Sequence, residues 1–192
     1  MPDTTIRYMR SHCGGESEEA VLFPYPTLDG DVRETLTAVV DAVDAVLEGH
    51  AEDFRSWDVA GEMPADFIQV LREFGLFGLV IPEAHGGMDF GSMAYSRTIQ
   101  QIAHHDASVA CTVGAHSSIG MRGLKLYGTD EQKQRYYEQL ASGEMIAAFC
   151  LTEPGAGSDA ASITTRAVEK EDHYLLNGSK IWVTNGGIAD FF

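Results

Sequence analysis

At Glu144 the chain changes its hydrophobic period, and no single layer of secondary structure accommodates both sides of that change. Before it, Val32, Leu36, Val39, Val40, Val43, Val46 and Leu47 recur at spacings of three and four, which places them on one stripe of a helix. After it, "MIAAFCLT" and "SITTRAVE" read as strands, the second because of its β-branched residues. The fold class this implies is α+β: an all-α helical domain over 31–145, then the first part of an antiparallel β-domain over 146–192. Residues 1–30, which include "FPYP", show no period and are expected to form an extended arm. Few strands are present and "IADFF" reads as mid-strand, so the expectation is an N-terminal fragment of a longer protein.

The helical half divides at capping and breaking residues. Asp31 with Glu34 offers a start signal for the first helix. A second helix is expected over 64–74, with Pro64 in its first turn, Phe67, Val70, Leu71 and Phe74 on one face, and Gly75 ending it. Pro82, Gly86, Gly87 and Gly91 mark a loop. Ser92 is a cap for a third helix reaching His105. A fourth helix, over 106–126, is expected to break at Gly114 or Gly120. Thr129 and Gln132 form a capping-box pattern for a fifth, ending near Gly143. In the β-half, Asn177-Gly178 is the strongest hairpin signal, because both residues tolerate positive φ. A turn there puts Trp182 and Thr184 on one face of their strand and Ile181 and Val183 on the other.

Composition narrows the function classes. Thirteen Lys and Arg against 29 Asp and Glu give a formal charge of −16, a surface that repels phosphate backbones and argues against nucleic acid. The three cysteines, Cys13, Cys111 and Cys150, are too far apart for a disulfide framework or a C-x-x-C metal site. With no apolar run near the ~18 residues that span a bilayer, the reading is a cytoplasmic protein. His104 and His105 are adjacent and point about 100° apart on a helix, so no metal site is expected. Ser117, His116 and Asp106 do not make a triad by sequence order, since geometry defines triads.

"FCLTEPGAGSDAAS", residues 149–162, carries the chemistry. Gly155, Gly157 and Ala160 spell G-x-G-x-x-A, the outline of a dinucleotide fingerprint. That fingerprint requires a helix after the glycine turn, whereas here the chain continues as β-branched and hairpin-like sequence. Two readings remain. "PGAGSD" is a tight turn between strands, or its backbone N–H groups form an anion-binding concavity beside Ser158. Likewise Trp182 beside Thr184 is either core and strand former, or a floor for a planar heteroaromatic cofactor.

"LYGTDEQKQRYYEQLASGE", "FCLTEPGAGSD" and "LNGSKIWVTNGG", in that order, closely resemble the acyl-CoA dehydrogenase family over residues 30–192, with variants nearest the long- and very-long-chain members. The resemblance implies an N-terminal helical domain, a central β-domain, a C-terminal helical domain that this chain lacks, and FAD as cofactor. Carried over by position, Phe149, Cys150, Leu151 and Thr152 line the flavin. Gly157 and Ser158 lie at its pyrophosphate, Ser158 also reaches the acyl-CoA substrate, and Trp182, Val183 and Thr184 pack on the ring. His116 and Ser117 fall near the acyl-chain tunnel. The implied reaction is α,β-dehydrogenation of an acyl-CoA thioester in fatty-acid β-oxidation, with electrons passing to an electron-transferring flavoprotein and the whole enzyme a homo-oligomer, dimer or tetramer. The family's catalytic glutamate belongs to the C-terminal domain. No catalytic residue is therefore assigned, Glu153 is not the base, and the chain alone is expected to be inactive. An acyl-CoA oxidase on the same fold, or a non-catalytic scaffold with a vestigial flavin loop, are the alternatives.

Overall fold

The computed structural model describes residues 12–15, 24, 25 and 27–192; most of the expected arm lies outside the described residues. The apolar stripe of the first helix forms α1, Gly30–Glu48, burying Leu36, Val43 and Leu47. Asp29, not Asp31, occupies its N-cap position and makes no side-chain cap; Asp31 sits in the first turn, where its charge suits the helix dipole. A helix not read from the sequence, α2 (Ala51–Ala60), follows and ends at Gly61 in the left-handed conformation. The second predicted helix is α3, Ala65–Glu73. Pro64 stands just outside it at the N-cap, and Gly75, with φ +67°, turns the chain away.

The third predicted helix is α4, Ser92–His105, with Gly91 rather than Ser92 at the N-cap. Ser92 has helical backbone, so its hydroxyl cannot serve as the N-cap acceptor. Asp106 is extended and caps α5, Ala107–Ala115, by accepting from the Val109 N–H at 2.8 Å. The predicted break occurs as a π-helical segment, His116–Gly120, followed by α6, Arg122–Tyr127. α7, Asp130–Ser142, begins with the predicted capping box: Gln132 N–H to Thr129 Oγ1 and Thr129 N–H to Gln132 Oε1, and Gly143 ends it at φ +74°.

These helices enclose one main core. Leu47 of α1, Leu71 of α3, Ile102 of α4, Val109 and Val113 of α5, and the loop residue Phe77 are all fully buried and cluster together with Ile146. Each fully buried large apolar side chain contributes about 1.5–3 kcal/mol. A second cluster joins Met121, Leu124, Tyr137 and Leu140 to Ala147. Ile146 and Ala147 thus anchor the start of the non-helical half in both clusters.

The non-helical half is α+β in the expected order, but two strand assignments are corrected. "MIAAFCLT" is extended without a ladder; it makes one parallel bridge, Ala147 to Phe191. Met145 N–H donates back to Gln139 O in α7, and the remaining backbone bonds at this end go to the tail: Asp190 N–H and Phe191 N–H to Ile146 O, and Ala148 N–H to Phe191 O. The hairpin is also displaced. β1 (Arg166–Glu169) pairs antiparallel with β2 (Tyr174–Asn177), in the register Arg166↔Asn177 through Glu169↔Tyr174. The turn is at 170–173, closed by Lys170 N–H to His173 O at 2.8 Å. Asn177 is the last rung of the ladder, and Gly178 presses against Thr165 where no Cβ would fit. Glycine there serves close approach rather than positive φ. Residues 179–184 therefore form no second strand, and the face-sharing of Trp182 and Thr184 cannot rest on strand alternation.

Candidate functional site

The site grows outward from the junction between helices and extended chain. The π segment lies directly on 146–148. A Cβ added to Gly120 would sit 2.7 Å from the Ala147 Cβ. His116 is fully buried, stacks edge-on against Phe77 at 5.1 Å, and uses both ring nitrogens. Nδ1 accepts the Ala147 N–H at 2.9 Å, which leaves Nε2 to donate to Leu140 O at 3.1 Å. Those bonds require the neutral Nε2–H ring, and burial pushes its pKa down to about 4. Ser117 is also buried. His116 is thus a fastener between α7, the π segment and the extended chain, and its ring is not available to a ligand.

From Phe149 onward the chain reaches the surface with alternating exposure: Phe149 and Leu151 are exposed, Cys150 and Thr152 half-buried. Among the described residues, the backbone N–H groups of Phe149, Cys150, Leu151 and Thr152 donate to nothing. Two of their carbonyls are occupied: Ile181 N–H donates to Thr152 O at 3.0 Å and Lys180 Nζ to Leu151 O at 2.9 Å. The segment is therefore tied through carbonyls, while its four N–H donors remain unused.

Glu153 then turns the chain. It exchanges backbone bonds with Ala156 (3.0 and 3.1 Å), folding Pro154-Gly155 into a tight corner. Neither Gly155 nor Gly157 takes positive φ, and a Cβ added to either would meet nothing within 4 Å. The protein's own packing does not require glycine at either position, so the space before them is open to a ligand. The N–H groups of Gly157 and Ser158 have no partner among the described residues, and both residues are exposed. After Ala160 come a three-residue 3-10 turn, Ala160–Ser162, and then β1. The α-helix that a dinucleotide fingerprint needs is not there.

The third piece is 182–184. Trp182 has φ +57° and is 86% exposed, and Thr184 is exposed, whereas Ile181 and Val183 are half-buried. An indole with so little cover from its own chain is uncommon for so large an apolar group. Asn185, at φ +65°, anchors the end of this piece by donating to Thr112 O at 2.9 Å and Ala147 O at 3.3 Å. Lys180 and Asn185 were not singled out from sequence; each works through a contact more than 25 residues away, which no local pattern announces.

The donor set fits a flavin nucleotide. Four unpaired N–H groups along an extended stretch suit the carbonyl and nitrogen acceptors of an isoalloxazine, those of Gly157 and Ser158 suit a pyrophosphate, and an uncovered indole suits a planar ring. Other candidates fall away. His105 Nε2 bonds Asp44 Oδ1, which also accepts from Gln101, so that histidine ties α4 to α1. Among the described residues no three His, Cys, Asp or Glu gather as metal ligands, and no helix is long and apolar enough to cross a membrane.

Comparison with known proteins identifies the family. The acyl-CoA dehydrogenase N-terminal domain description matches residues 33–144, and the middle-domain description matches 148–192. The very long-chain specific acyl-CoA dehydrogenase, mitochondrial, of Homo sapiens is 44% identical over 174 residues, covering 89% of this chain and 26% of that protein. A chain in the structure of the electron transferring flavoprotein of Acidaminococcus fermentans superposes with a TM-score of 0.76 at 34% identity, covering 85% of this chain and 42% of that one. The acyl-CoA dehydrogenase of Bacillus anthracis complexed with FAD gives a TM-score of 0.71 at 31% identity, over 85% of this chain and 28% of that one. This chain thus spans about a quarter of the human relative's length. With the helical half and the glycine-loop half each matched in order, the chain belongs to the acyl-CoA dehydrogenase family.

Proposed function

We propose that Phe149–Thr152, Gly157–Ser158 and Trp182–Thr184 form one wall of an FAD site in an acyl-CoA dehydrogenase. The observation that carries this reading is the row of four unpaired N–H groups beside an open glycine corner. When bound, FAD supplies the hydride acceptor for α,β-dehydrogenation of an acyl-CoA thioester. The chain's residues hold and orient: the N–H groups of 149–152 donate to the ring edge, those of Gly157 and Ser158 to the pyrophosphate, and Trp182 covers the ring with Val183 and Thr184 beside it. Ser158 Oγ also meets the acyl-CoA.

The partition into a helical domain at 31–145 and the first part of a β-domain at 146–192 belongs to the same proposal. So do an electron-transferring flavoprotein as acceptor, a dimeric or tetrameric whole enzyme, and fatty-acid β-oxidation as the process. The three free cysteines fit a reducing compartment. The cytoplasm is the reading from sequence, and the human relative's name points to the mitochondrion; fractionation with an epitope tag separates them.

Flavin-fluorescence titration tests the site. Saturable binding to the whole protein, weakened by Trp182→Ala, supports it, and no binding by the whole protein favours a vestigial loop. In the whole protein, acyl-CoA-dependent dye reduction without hydrogen peroxide supports a dehydrogenase; stoichiometric peroxide marks an oxidase.

A further inference from the structure

Glu153 is the only buried carboxylate among the described residues, with 5% of its surface exposed. Its two oxygens are fully engaged. Oε2 accepts from Thr164 N–H and Thr164 Oγ1, each at 2.8 Å. Oε1 accepts from Thr165 N–H at 2.9 Å, from Thr165 Oγ1, and from Lys180 Nζ at 2.9 Å. The same ammonium group donates to Leu151 O.

Resting on the FAD reading above, we infer that Glu153 is the positioning residue of that site: through Thr164, Thr165 and Lys180 it fixes the extended segment 149–152 with its free donors, the glycine corner and the Trp182 segment in one mutual arrangement. Three separate stretches meet at this carboxylate. Its own backbone closes the corner with Ala156. Thr164 and Thr165 lead directly into β1, and Gly178 at the far end of β2 packs on Thr165. Lys180 is two residues before Trp182, and Ile181 N–H holds Thr152 O. Without the carboxylate, the Lys180 ammonium keeps only the Leu151 carbonyl, and among the described residues 178–182 is tied to 151–153 by that one flexible side chain and the single Ile181 bond.

A general-base role is excluded by the same geometry. An acceptor-only group whose oxygens already take five donors has no direction left from which to receive a substrate proton. The bonds from Thr165, Thr164 and Lys180 also hold its pKa far below the usual carboxylate range. Nor is bulk stability a sufficient reason for it. Buried ion pairs are often no more stabilising than apolar replacements, and their best-attested use is to impose one arrangement.

The experiment compares the whole protein with its Glu153→Gln, Lys180→Met and Lys180→Arg variants, reading amide exchange by mass spectrometry and FAD affinity by fluorescence. Gln is nearly isosteric but sets an NH2 against N–H donors. In Glu153→Gln, exchange at the bonded amides of Glu153, Ala156, Thr164, Thr165 and Ile181 is expected to rise about tenfold or more, with α1 and α4 unchanged. The Kd for FAD is expected to rise about tenfold. Lys180→Met should do the same more weakly, and Lys180→Arg should restore the wild-type pattern. If Glu153→Gln fails to fold, the two Lys180 variants carry the test. Wild-type exchange in those segments overturns the inference, as does an equal rise across α1 and α4. If the whole wild-type protein binds no FAD, the flavin reading fails, and the exchange pattern still decides whether Glu153 organises these segments.

Discussion

The helical region, 30–143, and the stretch from 144 to 192 are held by different forces. In the first, α1, α3, α4 and α5 each bury an apolar stripe in one continuous core. In the second, only Ile146, Ala147, Ala148, Glu153 and Ala156 are buried, and both strands of the hairpin are exposed along their whole length. What holds this stretch in place is a short set of directed polar contacts: His116 to Ala147, Asn185 to Thr112 and Ala147, Glu153 to Thr164, Thr165 and Lys180. Apolar burial is non-directional and tolerant, whereas hydrogen bonds specify geometry and are costly to leave unmade. The helical half is therefore a platform, and the second half presents donors and an indole on it with little cover.

The largest expected effect tests the platform. Phe77 is fully buried and packs on His116. Phe77→Ala should cost about 3–5 kcal/mol in urea unfolding, and it should loosen 146–148 as well, because that segment rests on the same core. Independence of the two regions in that variant would break the comparison.

The fastener between them should show as a pH dependence. His116 has an unfolded pKa near 6.5 and a native value of about 4. Between these values the unfolded chain binds more protons than the native one. The stability tied to the neutral ring is therefore complete above about pH 6.5 and declines as pH falls toward 4, by about 3 kcal/mol in all. Chemical denaturation from pH 7.5 to 4.5 measures it, and His116→Gln should flatten that part of the profile.

Asn185→Ala should cost about 1–2 kcal/mol, from two lost hydrogen bonds and a left-handed backbone that alanine adopts poorly. Asn185→Gly, which keeps the backbone conformation accessible, should cost less; the difference between the two variants isolates the backbone share. The smallest effect is predicted where exposure is greatest. Trp182→Ala should change stability by no more than about 0.5 kcal/mol, because the indole is 86% exposed, while weakening FAD binding. A large loss of stability would place Trp182 in the core and sink the view of it as a ligand platform.

How much of this was legible in sequence follows the same division. Where burial is periodic and local, the reading succeeds: α1, α3, α4, the break after α5, and the capping box at Thr129 and Gln132 stand where spacing put them, although the N-caps of α1 and α4 fall at Asp29 and Gly91 rather than at Asp31 and Ser92. α2 escaped because "AEDFRSWDVA" buries only Phe54 and carries its aromatic contacts on Phe54 and Trp57 without a full apolar stripe. The hairpin turn was misplaced because Asn177-Gly178 carries a strong turn signal. Its backbone is claimed instead by the last rung to Arg166 and by contact with Thr165. The flavin motif itself was visible, but what organises it was not. Glu153 meets Thr164, Thr165 and Lys180 across 11 to 27 residues, and neither periodicity nor capping encodes that distance.

The most direct test of the account is amide exchange across the chain with and without FAD. The account predicts added protection at 149–152 and 157–158, where N–H groups now donate to nothing, with the helices of 30–143 unchanged. Exchange at 149–158 that is indifferent to saturating FAD, or protection confined to another part of the chain, would contradict it.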